Sequence, residues 1–262
     1  KENKKAEYSI MLMDGTLNSH LKEIQETANT RVEQIVKQLK KLGVKELEFL
    51  LITHVHPDHV GGYNKIMDNF KVKALFIKVD GTKYPAHTDT YKSIIKKAKK
   101  KGTFICDVKE SSCQHFTIGN IKFKLYNTKF FSASQVASWN KNRFENVNSV
   151  ATVATINGRR IYFSGDIGNY FGNNQETKTA KKIGQIDVYK VAHHGYVSFN
   201  NNESALKYLK PTYSVVTNNK GRSSEAVRRI KNLSPNYKKT YYTYKGTVTL
   251  TINTDGSMKF YQ

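Results

Sequence analysis

The sequence predicts a layered α/β domain, on three observations. Short apolar runs of strand length alternate with longer segments of helical period along most of the chain. The 262 residues, 38% apolar and 11% aromatic, are enough for one sizeable core, with no low-complexity tract and no repeat at a fixed period. His and Asp residues gather just past the ends of apolar runs, so the strands deliver a site. One domain over residues 1–262 is expected.

Each element has its own signal. Tyr8 to Met13 reads as a strand. Leu21 to Leu42 reads as an amphipathic helix, with Ile24, Ala28, Val32, Ile35, Val36 and Leu39 on one stripe and Gly43 as its cap. The apolar run Leu47 to Thr53 is the next strand. Val72 to Val79 follows as a strand and Thr88 to Lys101 as a helix; short strands run from Ile105, turning at Gly119-Asn120. Residues 127 to 147 are irregular; Phe130, Phe131 and Trp139 make them either a loop over the site or a surface loop held down by its aromatics. Val150 to Ile156 and Arg160 to Ser164 form a hairpin, because Asn157-Gly158 accepts the positive φ angles of a type I′ turn. Ile186 to Val191 is a buried strand. A helix from Glu203, a strand at Tyr213 to Thr217, a helix from Ser223 and a hairpin turning at Asp255-Gly256 complete the chain.

The most informative stretch is Thr53-His54-Val55-His56-Pro57-Asp58-His59-Val60-Gly61-Gly62, directly after an apolar strand. Alternate residues share a face, so His54 and His56 aim at one point; Asp58 and His59 come round the turn to a second point close by. Two adjacent metal ions are the natural reading. Asp166, after Gly165 at a strand end, offers one carboxylate between two cations. His193-His194-Gly195 closes another strand. Adjacent side chains diverge, so one histidine is expected on metal and the other facing substrate, with His194 preferred as the ligand.

The charge balance narrows the partners. Forty-three Lys and Arg against 21 Asp and Glu give a formal +22, which attracts polyanions: nucleic acid, an anionic membrane or a phosphate-rich cell-wall polymer. The runs Lys37 to Lys41 and Lys96 to Lys101 lie at helix ends, where lysine suits the dipole and a solvated face. No apolar run reaches the ~20 residues of a membrane span, and Lys1 to Lys5 carry no signal-peptide core. Cys106 and Cys113 are too few for a disulfide framework; a local bridge and free thiols are equally open.

The order His54-x-His56-x-Asp58-His59, Gly165-Asp166, His193-His194-Gly195 resembles the metallo-β-lactamase superfamily over almost the whole chain. That resemblance implies a four-layer αββα sandwich with a two-metal site between sheet edges. Leu39 to Val44 leading into Leu47-Glu48-Phe49, Asn148-Ser149-Val150, Asn157 to Tyr162 and the histidine pair look like cell-wall phosphorylcholine esterases and, more distantly, the hydrolase domains of competence DNA-uptake channel proteins. Departures are clear. Between the first motif and Asp166 many members carry a further ligand histidine; here only His87 and His115 occur, in no matching context, and Asn148-Ser149 holds the place. Thr217 to Ser223 stands where the DNA-uptake relatives have a His-rich turn. The family's first strand is expected upstream of residue 1, where a signal peptide or lipid anchor would also lie.

The resulting expectation is a binuclear hydrolase with two Zn²⁺, Mn²⁺ or Fe being the alternatives. His54 and His56 hold one ion, Asp58 and His59 the other, Asp166 bridges and His194 completes a shell. Asp58 also orients the nucleophile, while His193 and Asn148 donate to the developing oxyanion or the leaving group. A phosphodiester substrate such as cell-wall phosphorylcholine or teichoic acid is preferred, outside or on the surface of a Gram-positive cell. A DNA-uptake-type nuclease and a lactamase or thioesterase are the alternatives.

Overall fold

The computed structural model describes residues 32–83, 87–131 and 145–262. The strand expected at Tyr8 to Met13, the first part of the long helix and Trp139 lie outside the described residues. Helix α1 covers residues 32–41 and stops where expected: Gly43 takes a φ of 74°, its N–H bonding Lys40 O at 2.9 Å while Val44 N–H bonds Leu39 O at 3.0 Å. Val36 is buried, but Ile35 is 51% exposed rather than part of a buried stripe.

Three parallel strands, β1 (Glu46–Leu51), β2 (Lys71–Ile77) and β3 (Phe104–Asp107), form the first sheet in that order. Between β1 and β2 lie α2 (Pro57–Val60) and α3 (Tyr63–Asn69); α4 (Thr88–Lys100) joins β2 to β3. Tyr91, Ile94 and Ala98 recur at helical spacing along α4 and pack with Tyr63 and Met67 on Val72, Leu75 and Ile77. The lysines of its last turn suit the negative helix end.

The second sheet has seven strands, ordered β10-β9-β8-β7-β6-β5-β4. They are β4 (His115–Ile118), β5 (Ile121–Tyr126), β6 (Ala151–Ile156), β7 (Arg159–Phe163), β8 (Val188–Lys190), β9 (Tyr213–Val216) and β10 (Lys239–Tyr242). β4 to β7 are antiparallel and β7 to β10 parallel. Asn157 (φ 48°) and Gly158 (φ 75°) make the two-residue turn that sets the β6–β7 register, as expected. A hairpin of β11 (Thr249–Ile252) and β12 (Met258–Tyr261) follows at the C-terminus.

Packing shows which faces meet. Phe49 of β1 touches Phe76, Phe116 and Phe123 edge-on at 5.5, 5.0 and 5.1 Å, so the inner faces of both sheets share one aromatic cluster. Cys106 and Cys113 are joined as a disulfide in that cluster. The outer face of the seven-stranded sheet carries α5 (Gln175–Ile183), α6 (Glu203–Leu209) and α7 (Lys220–Leu233), with Tyr162, Tyr189 and Leu206 among their buried contacts. α5 escapes the apolar pattern because half of its buried face is polar: Glu176 and Thr179 beside Ala180 and Ile183. α7 begins at Lys220, ahead of Ser223, since the Asn219 side chain accepts Arg222 N–H at 2.9 Å.

Candidate metal centre

Strand β1 ends at Leu51, two residues earlier than the apolar run suggests, and His54 sits on the extended segment beyond it. Two bonds fix that segment across the sheets: Val150 N–H donates to Thr53 O at 2.8 Å and Val55 N–H to Glu145 Oε2 at 3.2 Å. Pro57 then opens α2, for which its locked φ is suited, and His56 at the N-cap stays extended. The consequence is a close pair: His54 Nε2 lies 3.0 Å from His56 Nδ1. Two imidazole nitrogens sharing one tetrahedral zinc would be about 3.3 Å apart. The other ring nitrogen of His54 meets Thr53 Oγ1 and Ser149 Oγ, each at 3.1 Å, so its orientation is set from behind.

Gly165, with a φ of 56°, turns the chain after β7 so that Asp166 points into the seam, and Asp166 N–H bonds Ser149 Oγ at 3.0 Å. Four imidazoles converge on one oxygen. Asp166 Oδ2 lies 3.2 Å from His59 Nε2, 3.7 Å from both His193 Nε2 and His194 Nε2, and 3.8 Å from His54 Nε2. Asp58 Oδ2 approaches His194 Nε2 at 3.1 Å and His59 Nε2 at 3.6 Å. Donor atoms of Asp58, His59, Asp166 and His194 all fall within 4.8 Å of one another. Proximity is not satisfaction: His59 Nε2, His56 Nε2 and Asp166 Oδ1 are buried without an aligned hydrogen-bond partner. Buried polar atoms left in this state suit a cation.

His193 and His194 do not diverge as adjacent residues should. Both occupy the left-handed region (φ 47° and 54°), which swings their Nε2 atoms to the same distance from Asp166. Asn201 grips the two ends of this strained loop, donating to Ala192 O at 2.9 Å and Tyr196 O at 2.7 Å. Thr217 Oγ1 holds His194 Nδ1 at 2.8 Å, from the position just past β9.

Electrostatics favour the ligand forms. Burial pushes the His54 imidazole well below its usual range, and His56 is lowered for the same reason, so both rings are neutral near pH 7. Burial would raise the Asp58 carboxyl, but the His194 bond and the neighbouring histidines outweigh it and hold it low. At Asp166 burial is likewise outweighed, by His59, by Lys190 with its ammonium 3.9 Å from Oδ1, and by His54. Lys190 itself is lowered by burial. Its stem borders a cavity of about 740 Å³ on the inner sheet face, lined by Ile161, Phe163, Val188 and Phe260.

Of the residues singled out in the sequence, His54, His56, Asp58, His59, Asp166, His193 and His194 are brought together. Asn148 is fully buried and its Oδ1 accepts Phe131 N–H at 2.9 Å, while Ser149 beside it touches both His54 and Asp166. His87 is closer to the site than its context suggested, with its ring 6.0 Å from His56 and a left-handed backbone; His115 is exposed on β4. Sequence reasoning passed over Glu145, Lys190, Asn200 and Asn201, and only the nearness of Lys190 to the histidine pair signals any of them.

Comparison with known proteins adds one match: a family model described as transposon-encoded protein TnpV aligns with residues 1–48. The matched segment ends before His54 and contains none of the site residues. No curated protein matches the chain.

Proposed function

We propose that this chain is a binuclear metal-dependent hydrolase of the metallo-β-lactamase type, acting on phosphodiesters of an anionic polymer. One observation carries the reading: four imidazole Nε2 atoms lie 3.2 to 3.8 Å from a single buried carboxylate oxygen of Asp166. Helices on the outer face of each of two facing sheets support the four-layer αββα form. In this reading His54 and His56 hold one ion, Asp58 and His59 the other, and Asp166 lies between them with His193 and His194 beside it. Two Zn²⁺ bound there would supply Lewis acidity and a water of lowered pKa. The chain's own work is orientation. Thr53 and Ser149 fix the His54 ring, Thr217 fixes His194, and the Lys190 ammonium beside Asp166 Oδ1 leaves Oδ2 facing the histidines. The net charge of +22 supports an anionic substrate, which it would concentrate at the surface.

The test is metal content together with turnover of bis-p-nitrophenyl phosphate and p-nitrophenylphosphorylcholine, in wild type and Asp166→Ala. About two zinc per chain with cleavage that vanishes in the variant is the expected result. Bound zinc with turnover only of nitrocefin or S-lactoylglutathione would move the substrate to carboxyl derivatives; degradation of DNA alone would move it to nucleic acid. A chain that binds no metal would overturn the proposal.

A further inference from the structure

We infer that Asn200 is a positioning residue that locks His193 in the tautomer with hydrogen on Nδ1, leaving Nε2 as a bare acceptor aimed at Asp166. Asn200 is 1% exposed, and one end of its amide faces two backbone carbonyls, Asp166 O at 2.9 Å and Ile167 O at 2.8 Å. Carbonyl oxygens only accept, so that end is the NH₂ group and the opposite end is Oδ1. Oδ1 lies 2.8 Å from His193 Nδ1 and also accepts the Tyr170 hydroxyl at 3.1 Å. Two acceptors cannot face each other at 2.8 Å, so Nδ1 carries the hydrogen. The Tyr170 hydroxyl does not compete as a donor: its hydrogen goes to Asn200, while its oxygen accepts Asn146 Nδ2–H at 3.1 Å and lies 3.3 Å from Nδ1. The same amide therefore holds the backbone of Asp166 and dictates which nitrogen of His193 faces its carboxylate. A neutral His193 presents a lone pair, the form a cation takes and a proton donor lacks.

This assignment needs no metal, although its consequence for affinity rests on the metal reading. The experiment is long-range ¹H–¹⁵N correlation of the imidazoles in the ¹⁵N-labelled, EDTA-treated full chain at roughly pH 8.5, where histidines are neutral. His193 is expected as the Nδ1–H tautomer in wild type. Asn200→Asp keeps an acceptor for Nδ1 but sets its second oxygen against Asp166 O and Ile167 O, so where it folds it should retain that tautomer at a loss of stability. Asn200→Ala removes the acceptor that faces Nδ1 and leaves the Tyr170 hydroxyl, 3.3 Å away, as its polar neighbour; the ring should switch to Nε2–H. Zinc affinity is expected to fall about 10–100-fold in Asn200→Ala, more than in Asn200→Asp. An Nε2–H tautomer in wild type, or an unchanged tautomer in folded Asn200→Ala, would overturn the inference. Should neither variant fold, the wild-type tautomer decides it, the Nε2–H form counting against. A tautomer switch without any zinc binding would uphold the role of Asn200 and sink the metal reading instead.

Discussion

Glu145 gives the sharpest test of how the first motif is held. Its carboxylate is fully buried, accepts Val55 N–H at 3.2 Å and Tyr91 O–H at 2.9 Å through Oε2, and leaves Oε1 without a hydrogen bond. Burial pushes its pKa from the ordinary 4.5 up to about 7, against the pull of those bonds and of Lys78. A carboxyl raised in the folded state binds its proton more tightly there than in the unfolded chain. Stability from this group is therefore full below about pH 4.5 and is lost as pH rises to about 7. That displacement is worth about 3 kcal/mol. Glu145→Gln keeps the shape and an acceptor but cannot ionise. The unfolding free energy of the variant relative to wild type should climb by about 3 kcal/mol between roughly pH 4.5 and 8, measured by urea unfolding in EDTA. Histidine titrations are common to both proteins and cancel. Lys78 works oppositely: burial lowers it from 10.5 to about 7, so its contribution is lost as pH falls through that range. Repeating the comparison in a Lys78→Met background separates the two. A difference that stays flat with pH would refute the buried, raised carboxyl.

Three further outcomes are expected. Ser149→Ala removes the hydroxyl shared by His54 Nδ1 and Asp166 N–H; it should weaken zinc binding about 10–100-fold by titration calorimetry and, by leaving the buried Asp166 N–H without its acceptor, cost about 1–3 kcal/mol of stability without metal. Gly168→Ala would place a Cβ 2.6 Å from Asn200 Nδ2 and 2.7 Å from Phe199 O; a loss of about 1–3 kcal/mol and weaker zinc binding are expected, read by chemical unfolding and the same titration. Replacing Cys106 and Cys113 together by alanine opens a short loop and should cost about 2.5 kcal/mol on the chain-entropy scale, with the zinc stoichiometry unchanged.

The parts of this molecule legible in the sequence are those where one local rule decides. Asn157-Gly158 fixes a hairpin by its tolerance of positive φ, Gly43 ends a helix, and a histidine-rich turn after an apolar strand announces the candidate centre. Less legible were features set by tertiary partners. α5 hides because Glu176 is buried as an acceptor for Asn201 N–H, Asn202 N–H and the Asn202 amide, which a hydropathy pattern scores as surface. The paired aim of His193 and His194 depends on two successive left-handed residues, which Asn201 and Tyr189 hold in place from elsewhere in the fold.

What joins the two sheets at the centre is one short stretch, residues 145–150. Glu145 binds the peptide between His54 and His56, Val150 donates to Thr53 O, and Ser149 bonds His54 on one side and Asp166 on the other. Each of these bonds reaches from the seven-stranded sheet's side of the seam to the turn after β1, or to the turn after β7. The His54 pair and the Asp166 carboxylate are thus placed by common supports rather than by two independent loops. Their relative geometry should survive motion in either sheet so long as this stretch keeps its bonds. Asp166 Oδ2 faces four imidazoles, with His59 nearest at 3.2 Å. Burial keeps His54 and His56 neutral, while Asp58 and Asp166 are held as carboxylates. Neutral His54 and His56 beside two ionised carboxylates suit a cation, which is why metal content is the observable to measure.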